Sequence, residues 1–407
     1  MKTMNRRRFL GLAGAGAAPL RLGSLSKILA APSLQDEASP AKIRAYRPLG
    51  KTGLKISDIG FGGINYLSPE VALYAYECGV NAFDTAEGYG QSERMLGQAL
   101  KGIRDKVIIT TKHLLTTPEQ TTTEALVKRM EESLRKLQTD HVDIALIHAV
   151  DDPSALRREE VLAAYDRLKR EGKIRFSGFS THQPVRTLPE AIASGRFDVV
   201  LMTYNHMENA AAEPLVAQAR AKGIGTIAMK VFAGGKQGNL KGLVNDRLKY
   251  SQAALRWVLG NPSIDGLIVT MSTFAHVEEY VALSGQTLTR EDLKLISRYR
   301  EEASPVYCRV SCDECRSACP HGVAVNEILR CAMYYEDYRM EGHALRVYAG
   351  IEEGRKPIPC AACDGPCEAA CPHGIEVRAR LLRSHALLGP DLALPGSRRV
   401  DMDIIIM

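Results

Sequence analysis

No apolar run of about 20 residues occurs in this 407-residue chain, so nothing in it is suited to span a bilayer as a helix. The body also lacks an excess of either charge. The formal net charge of +6 belongs to residues 1–31, which hold Lys2, Arg6, Arg7, Arg8, Arg21 and Lys27 and no acid; the remaining 47 bases face 47 acids. A neutral body offers no footing for nucleic acid or an anionic membrane surface, so neither is expected as a partner. A glycine-rich dinucleotide fingerprint is missing as well. Gly60-Phe61-Gly62-Gly63 has no third glycine at the spacing of G-x-G-x-x-G, which weakens an open doubly wound sheet as the architecture. Cysteine is scarce outside one region: only Cys78 lies apart, while between Cys308 and Cys371 eight cysteines form two tight runs, with Cys331 standing alone between them. Hydrophobic residues (45%) and charged residues (25%) are otherwise at the level of a globular protein with room for one large and one small domain.

The N-terminus reads as an address. Asn5-Arg6-Arg7-Arg8-Phe9-Leu10 precedes a weakly apolar Gly/Ala-rich stretch, Gly11 to Leu20. It resembles a twin-arginine export signal, with Arg6-Arg7 as the pair. The resemblance implies export to the periplasm through the twin-arginine machinery, with residues 1–31 as the signal and 32–45 as a linker; a disordered basic tail is the bland alternative.

From Ile59 to about Gln286 short apolar runs alternate with amphipathic helical runs. The candidate strands are Ile59–Gly63, Asn81–Asp84, Val107–Lys112, Val142–His148, Ile174–Ser180, Phe197–Tyr204, Ile224–Lys230 and Ile264–Met271. Continuous apolar runs such as Val142–Ile147 suit strands buried on both faces. Between strands, Thr121-x-x-Glu124 reads as a capping box, followed by an apolar stripe of Leu126, Met130, Leu134 and Leu137. Eight such units predict an α/β fold, a (β/α)8 TIM barrel over residues 46–290.

A barrel places its chemistry at the carboxyl ends of its strands. Asp84 ends the second strand with Tyr89 five residues on, Lys112 ends the third, and His148 ends the fourth. Carbonyl reduction by hydride requires a proton donor to the developing alkoxide. A phenol with a pKa of about 10 is a slow acid near neutrality, and a nearby ammonium is expected to lower it. Lys112 would supply that charge, Asp84 would hold Lys112, and His148 would orient the substrate oxygen.

At these residues the chain resembles the aldo/keto reductase family. The match runs through Leu49-Gly50-Lys51-Thr52-Gly53-Leu54, Phe83-Asp84-Thr85-Ala86 with Tyr89-Gly90, Thr111-Lys112, Leu146-Ile147-His148 and Gly178-Phe179-Ser180, covering about residues 44–286. The resemblance implies NAD(P)H-dependent reduction of an aldehyde or ketone, or the reverse, on a small-molecule carbonyl or alcohol, with Asp84, Tyr89, Lys112 and His148 as catalytic residues. It also implies cofactor contacts from Gly62, Gly63, Ser180, Thr181, Met229, Lys230 and Ser272. The chain departs from the family at three of the nicotinamide positions: Thr181 stands for an Asn, Leu201 for a Gln, and Met229 for an aromatic residue. The region His276–Tyr280 has no Arg for a 2′-phosphate, so NAD and NADP both stay open.

The cysteine runs are Cys308, Cys312, Cys315, Cys319 and Cys360, Cys363, Cys367, Cys371, each closed by Cys-Pro-His-Gly. They resemble the two-cluster bacterial ferredoxins, with one residue inserted in each run. The resemblance implies two 4Fe-4S clusters, with the fourth Cys of each run passing to the other cluster. The intervening segment reads as helical, with Val325, Ile328, Leu329 and Met333 on one face. Residues 291–385 are therefore expected to form a small α-helical ferredoxin-like domain, and 386–407 a tail. Disulfides and zinc compete for the same thiols. Two functions remain open at this point. One is an oxidoreductase coupled through its clusters to an electron-transfer protein; the other is an exported iron–sulfur electron-transfer or binding protein on a barrel that no longer turns over nicotinamide.

Overall fold

The computed structural model describes residues 41–64, 68–115, 117–208, 210–235 and 247–389. The expected export signal, most of the linker and residues 390–407 of the tail lie outside the described residues.

An antiparallel hairpin, β1 (Tyr46–Pro48) and β2 (Lys55–Ser57), precedes the barrel; no strand was expected there, because three-residue strands carry too little periodicity to read. Eight parallel strands then close on themselves: β3 (Ile59–Gly62), β4 (Ala82–Asp84), β5 (Ile108–Leu114), β6 (Val142–His148), β7 (Ile174–Thr181), β8 (Val199–Thr203), β9 (Gly225–Met229) and β10 (Gly266–Thr270), with β10 paired to β3. All eight coincide with the apolar runs of the sequence. The open doubly wound sheet is thereby excluded. Leu49, Leu54 and Ile56 of the hairpin segment pack beneath Ala82, Ile108, Leu146 and Leu201, so the hairpin plugs the amino-terminal end of the barrel. Gly50 permits that closure. Its φ is +49°, and a Cβ there would lie 2.4 Å from the carbonyl oxygen of Gly223.

Helices α1 (Pro69–Glu77), α2 (Ser92–Ala99), α3 (Thr123–Leu137), α4 (Glu159–Arg170), α5 (Pro184–Ser194), α6 (Glu213–Ala221), α7 (Arg247–Leu259) and α8 (Phe274–Val281) accompany the strands. The stripe Leu126, Met130, Leu134, Leu137 of α3 is buried as its 3.6-residue period demands. The helix starts one residue later than the expected capping box. Thr122 is the N-cap, accepting from the amide of Ala125; Thr121 instead bonds the carbonyl of Pro118 in a preceding turn.

Helix α9 (Arg290–Ala303) opens with a capping box formed by Thr289 and Asp292 and stacks Tyr299 on Tyr250 of α7, ring centroids 4.0 Å apart. Beyond it, α10 (Val325–Glu336), α11 (Glu341–Ala349), α12 (Pro366–Ala369) and α13 (Val377–Leu388) share a second core with Ala233, Tyr250 and Ala254 of the barrel. Val325, Ile328, Leu329 and Met333 point into that core. The region is anchored through the loop after β8: Glu208 accepts from Tyr307 and from the amide and hydroxyl of Ser311, at 2.7 and 2.6 Å. The hydroxyl of Tyr299 reaches the carbonyl of Ala233 at 2.9 Å. No described helix is long and apolar enough to cross a membrane.

Candidate active site

Strand ends bring the four candidate catalytic residues together. The ammonium of Lys112, at the third barrel strand, donates to Asp84 Oδ2 at 2.6 Å, to the carbonyl of Thr85 at 2.8 Å and to the Tyr89 hydroxyl at 3.5 Å. Tyr89 meets the His148 ring edge-on at 5.6 Å, and Lys112 Nζ lies 4.7 Å from the Tyr89 ring centroid. Two buried polar atoms in this group lack a hydrogen-bond partner, Asp84 Oδ1 and His148 Nδ1, and orphaned donors or acceptors of this kind are costly unless a ligand meets them.

The electrostatics differ from expectation in one respect. Burial pushes the Tyr89 phenol well above its usual range, and the charges of Asp84 and Tyr334 push it further. A phenol made more acidic by Lys112 is therefore not what the fold builds. Burial likewise raises Asp84 and lowers Lys112, in each case against the pull of the partner's charge. The ammonium is paired with Asp84, whose own charge opposes it at the phenol. His148 is held well below the ordinary imidazole value, by burial first and then by Lys112, His182, His113 and Lys230. Tyr89 is thus kept as a phenol and His148 as a neutral imidazole at physiological pH, the protonation states of a proton donor and a neutral hydrogen-bond donor.

The expected cofactor residues are more scattered in their surroundings. The Ser180 hydroxyl accepts from the amide of Ala149 at 2.9 Å, and Thr181 Oγ1 accepts from the amide of Gln183 at 2.9 Å. Leu201 is buried below the site, lining an apolar cavity with Ile56, Ile108, Leu146 and Ile227 under Asp84. Met229 is partly exposed at the end of β9. Gly62 and Gly63 are accounted for by packing: a Cβ at Gly63 would lie 2.6 Å from both the carbonyl of Asp84 and the hydroxyl of Ser92, and one at Gly62 would lie 3.0 Å from Val269. Ser272 is exposed just ahead of α8, whose N-cap is Thr273. Lys230 turns its ammonium onto the Tyr334 hydroxyl of α10. Tyr334, Arg330 and the Asp151–His182 pair were not singled out in the sequence. Nothing local marks them: the Lys230–Tyr334 contact spans 104 positions.

The eight clustered cysteines, like Cys78 and Cys331, are free thiols, and no disulfide joins any of them. Cys319, Cys360, Cys363 and Cys367 line one cavity with Pro320, Pro366 and Arg378. Cys308 is within electrostatic reach of Cys312, Cys315 and Cys371. Among the described residues no three His, Cys, Asp or Glu converge closely enough to grip a single metal ion. Burial and then the neighbouring sulfurs push Cys315 up to about 12 and Cys360 up to about 11. Backbone amides of Val323 and Gly365 point at the sulfurs of Cys319 and Cys363, at 3.4 and 3.5 Å.

The barrel is similar to known proteins. A sequence model of the Aldo/keto reductase family matches residues 67–245. L-galactose dehydrogenase of Arabidopsis thaliana is 30% identical over 282 residues, 58% of this chain and 86% of that protein. NADH-specific methylglyoxal reductase of Escherichia coli K12 is 27% identical over 229 residues, 48% of this chain and 69% of that protein. The solved structure of an aldo-keto reductase from Pseudomonas aeruginosa superposes with a TM-score of 0.52 at 27% identity, covering 62% of this chain and 98% of that one. The chain belongs to the aldo/keto reductase family and is an oxidoreductase of that family. The family match ends at residue 245 and does not reach the cysteine runs.

Proposed function

We propose that this protein reduces an aldehyde or ketone with NAD(P)H, or runs the reverse reaction, with Tyr89 as the proton donor. The observation that carries this reading is the contact set of Lys112 with Asp84 and Tyr89, closed by the Tyr89–His148 ring contact. The names of the dehydrogenase and reductase relatives support it. NAD(P)H, when bound, supplies the hydride that reduces the carbonyl carbon.

The residues present fit a nicotinamide nucleotide. Met229 offers a polarizable apolar surface to a ring. Ser180 accepts a bond from Ala149 and keeps its hydroxyl proton to donate. Ser272 and the start of α8 offer polar groups to a phosphate. With Leu201 in the lower core, an amide held here has fewer side-chain partners than the family pattern provides. His148 orients the carbonyl oxygen, and Tyr89 gives that oxygen its proton. The phenolate left behind lies 3.5 Å from the Lys112 ammonium, which stabilises it until it is reprotonated. Tyr89→Phe is expected to lower kcat by about 10²- to 10⁴-fold while the protein still binds the nucleotide. Full activity in that variant removes the reading.

Two 4Fe-4S clusters belong to the same proposal, and the two cysteine runs, each closed by Cys-Pro-His-Gly, are what favours them. One ligand set is Cys308, Cys312, Cys315 and Cys371, and the other is Cys319, Cys360, Cys363 and Cys367. Crowded thiols held up by burial and by each other are costly to ionise alone, and a bound cationic core reverses that cost. The clusters would exchange electrons with a protein partner. The chain would reach the periplasm folded, through the twin-arginine machinery, which accommodates clusters already in place. Iron and sulfide analysis of anaerobically purified protein tests the first point. Iron without nicotinamide binding would instead favour the reading in which the barrel is retired.

A further inference from the structure

Helix α10 lies over the barrel mouth and adds residues to it. Lys230 leaves β9 with φ at +56°, a left-handed backbone that side chains other than glycine rarely adopt, and Asn205 Nδ2 fixes its carbonyl at 3.2 Å. Strain of this kind persists where a side chain must be aimed. Here the ammonium is aimed at Tyr334, bonding its hydroxyl and lying 4.7 Å from the ring centroid. The Tyr334 ring also meets His343 edge-on at 4.9 Å. Arg330 precedes Tyr334 by one helical turn on α10.

The charges in this roof are not balanced. The floor lysine, Lys112, is paired with Asp84. Neither Lys230 nor Arg330 forms an ion pair with any described residue, and Arg330 makes no side-chain hydrogen bond to one. The acid that bears on Arg330 is Asp151, whose two oxygens also meet the amide and the ring of His182 at 2.8 and 3.4 Å; its single charge offsets one of the two cations and leaves the roof with one positive charge in excess. His182 and His343 are held near 4, by burial first and then by these cations, so they are neutral and cancel nothing. Roof and floor form one electrostatic unit, because Tyr334 bears on Tyr89 and Lys230 bears on His148. An excess of half-buried positive charge beside reacting atoms concentrates anions.

We propose that α10 carries the substrate-recognition site of the barrel: Arg330 and Lys230, with Tyr334 beside them, hold an anionic group of the substrate over Tyr89. The inference rests on the carbonyl-reduction reading and narrows its substrate to carbonyl compounds that bear a carboxylate or a phosphate. The nucleotide's own phosphates are the competing occupant. Their candidate place is the exposed start of α8 at Ser272, whereas Lys230 acts on His148 and bonds Tyr334, which acts on Tyr89.

The test is equilibrium binding by calorimetry to the full-length protein, with and without NADP+, of probes that cannot react. Phenylacetate is compared with phenylacetamide, and phenyl phosphate with phenol. At least one anion is expected to bind ten times or more tighter than its neutral twin, and which pair shows this separates carboxylate from phosphate. Arg330→Gln should bring that ratio to within threefold, and Arg330→Lys should restore part of it. Lys230→Gln should lower it as well. Equal binding within both pairs overturns the proposal. So does a preference that survives Arg330→Gln, or a loss confined to nucleotide affinity. Binding needs no turnover. Anion preference without any carbonyl reduction would sink the proposed reaction, and reduction of neutral carbonyls without anion preference would sink this inference alone.

Discussion

Two lysine–tyrosine pairs meet at the mouth of this barrel, and they behave in opposite ways. In the floor pair Lys112 is bound to Asp84, and Tyr89 is driven far above the ordinary phenol range. In the roof pair Lys230 has no carboxylate, and Tyr334 is drawn below that range: burial pushes it up, but Lys230 and Arg330 together outweigh burial. The residue types are the same. The pairs differ by a carboxylate on the floor, which adds its repulsion to the phenolate, and by a second cation on the roof, Arg330. The lysine beside a tyrosine is therefore not enough to predict an acidic phenol; the other charges around the pair decide the sign.

The largest effect expected from breaking this comparison is on stability. Lys112→Met leaves the Asp84 carboxylate buried and alone, which should cost about 3–5 kcal/mol in denaturant unfolding, as removal of one partner of a buried pair does. Lys230→Met strands no carboxylate and should cost about 1 kcal/mol or less. Equal losses would mean that the two lysines are held alike. Asp84→Asn removes the repulsion on the floor phenol while keeping its size. The Tyr89 pKa should fall, and the alkaline limb of the reduction rate should move to lower pH, because the proton donor is lost as pH rises through that pKa. An unmoved limb would mean that burial alone sets Tyr89.

Ultraviolet titration of the tyrosines sharpens the contrast further. One phenol should ionise below 10 in the native protein, and Tyr334→Phe should abolish that step while Tyr89→Phe leaves it. The smallest effect concerns the histidines on either side. His113 on the floor and His182 under the roof both sit near 4 against an ordinary 6.5, mainly through burial. Both are neutral when folded and take a proton more readily when unfolded. Stability should then be full above about pH 6.5 and decline as pH falls toward 4. Arg330→Gln should raise His182 and leave His113 in place, read from imidazole chemical shifts.

Much of the barrel could be read before any coordinates. Val142–His148, for example, is an uninterrupted apolar run closed by a polar residue, and a buried parallel strand with a functional end needs no more than that. Asp84, Tyr89, Lys112 and His148 were legible for the same reason, since strand ends on consecutive strands share one face of a closed sheet. The hairpin Tyr46–Ser57 was missed because its strands are too short to show a period. The packing roles of Gly62 and Gly63 were hidden because the atoms they admit, Val269 and Ser92, come from elsewhere in the chain.

Strand positions, cysteine spacing and the polar residues at the strand ends are local or periodic properties and can be read from the amino-acid order; that the strands close into a barrel was decided by the tertiary structure. The roof is of another kind. Arg330 and Tyr334 carry no signature on their own helix and gain meaning only because folding sets them above residues a hundred positions earlier. Protonation belongs with the roof: a pKa reports burial and neighbouring charge, and both exist only once the chain has closed around the site.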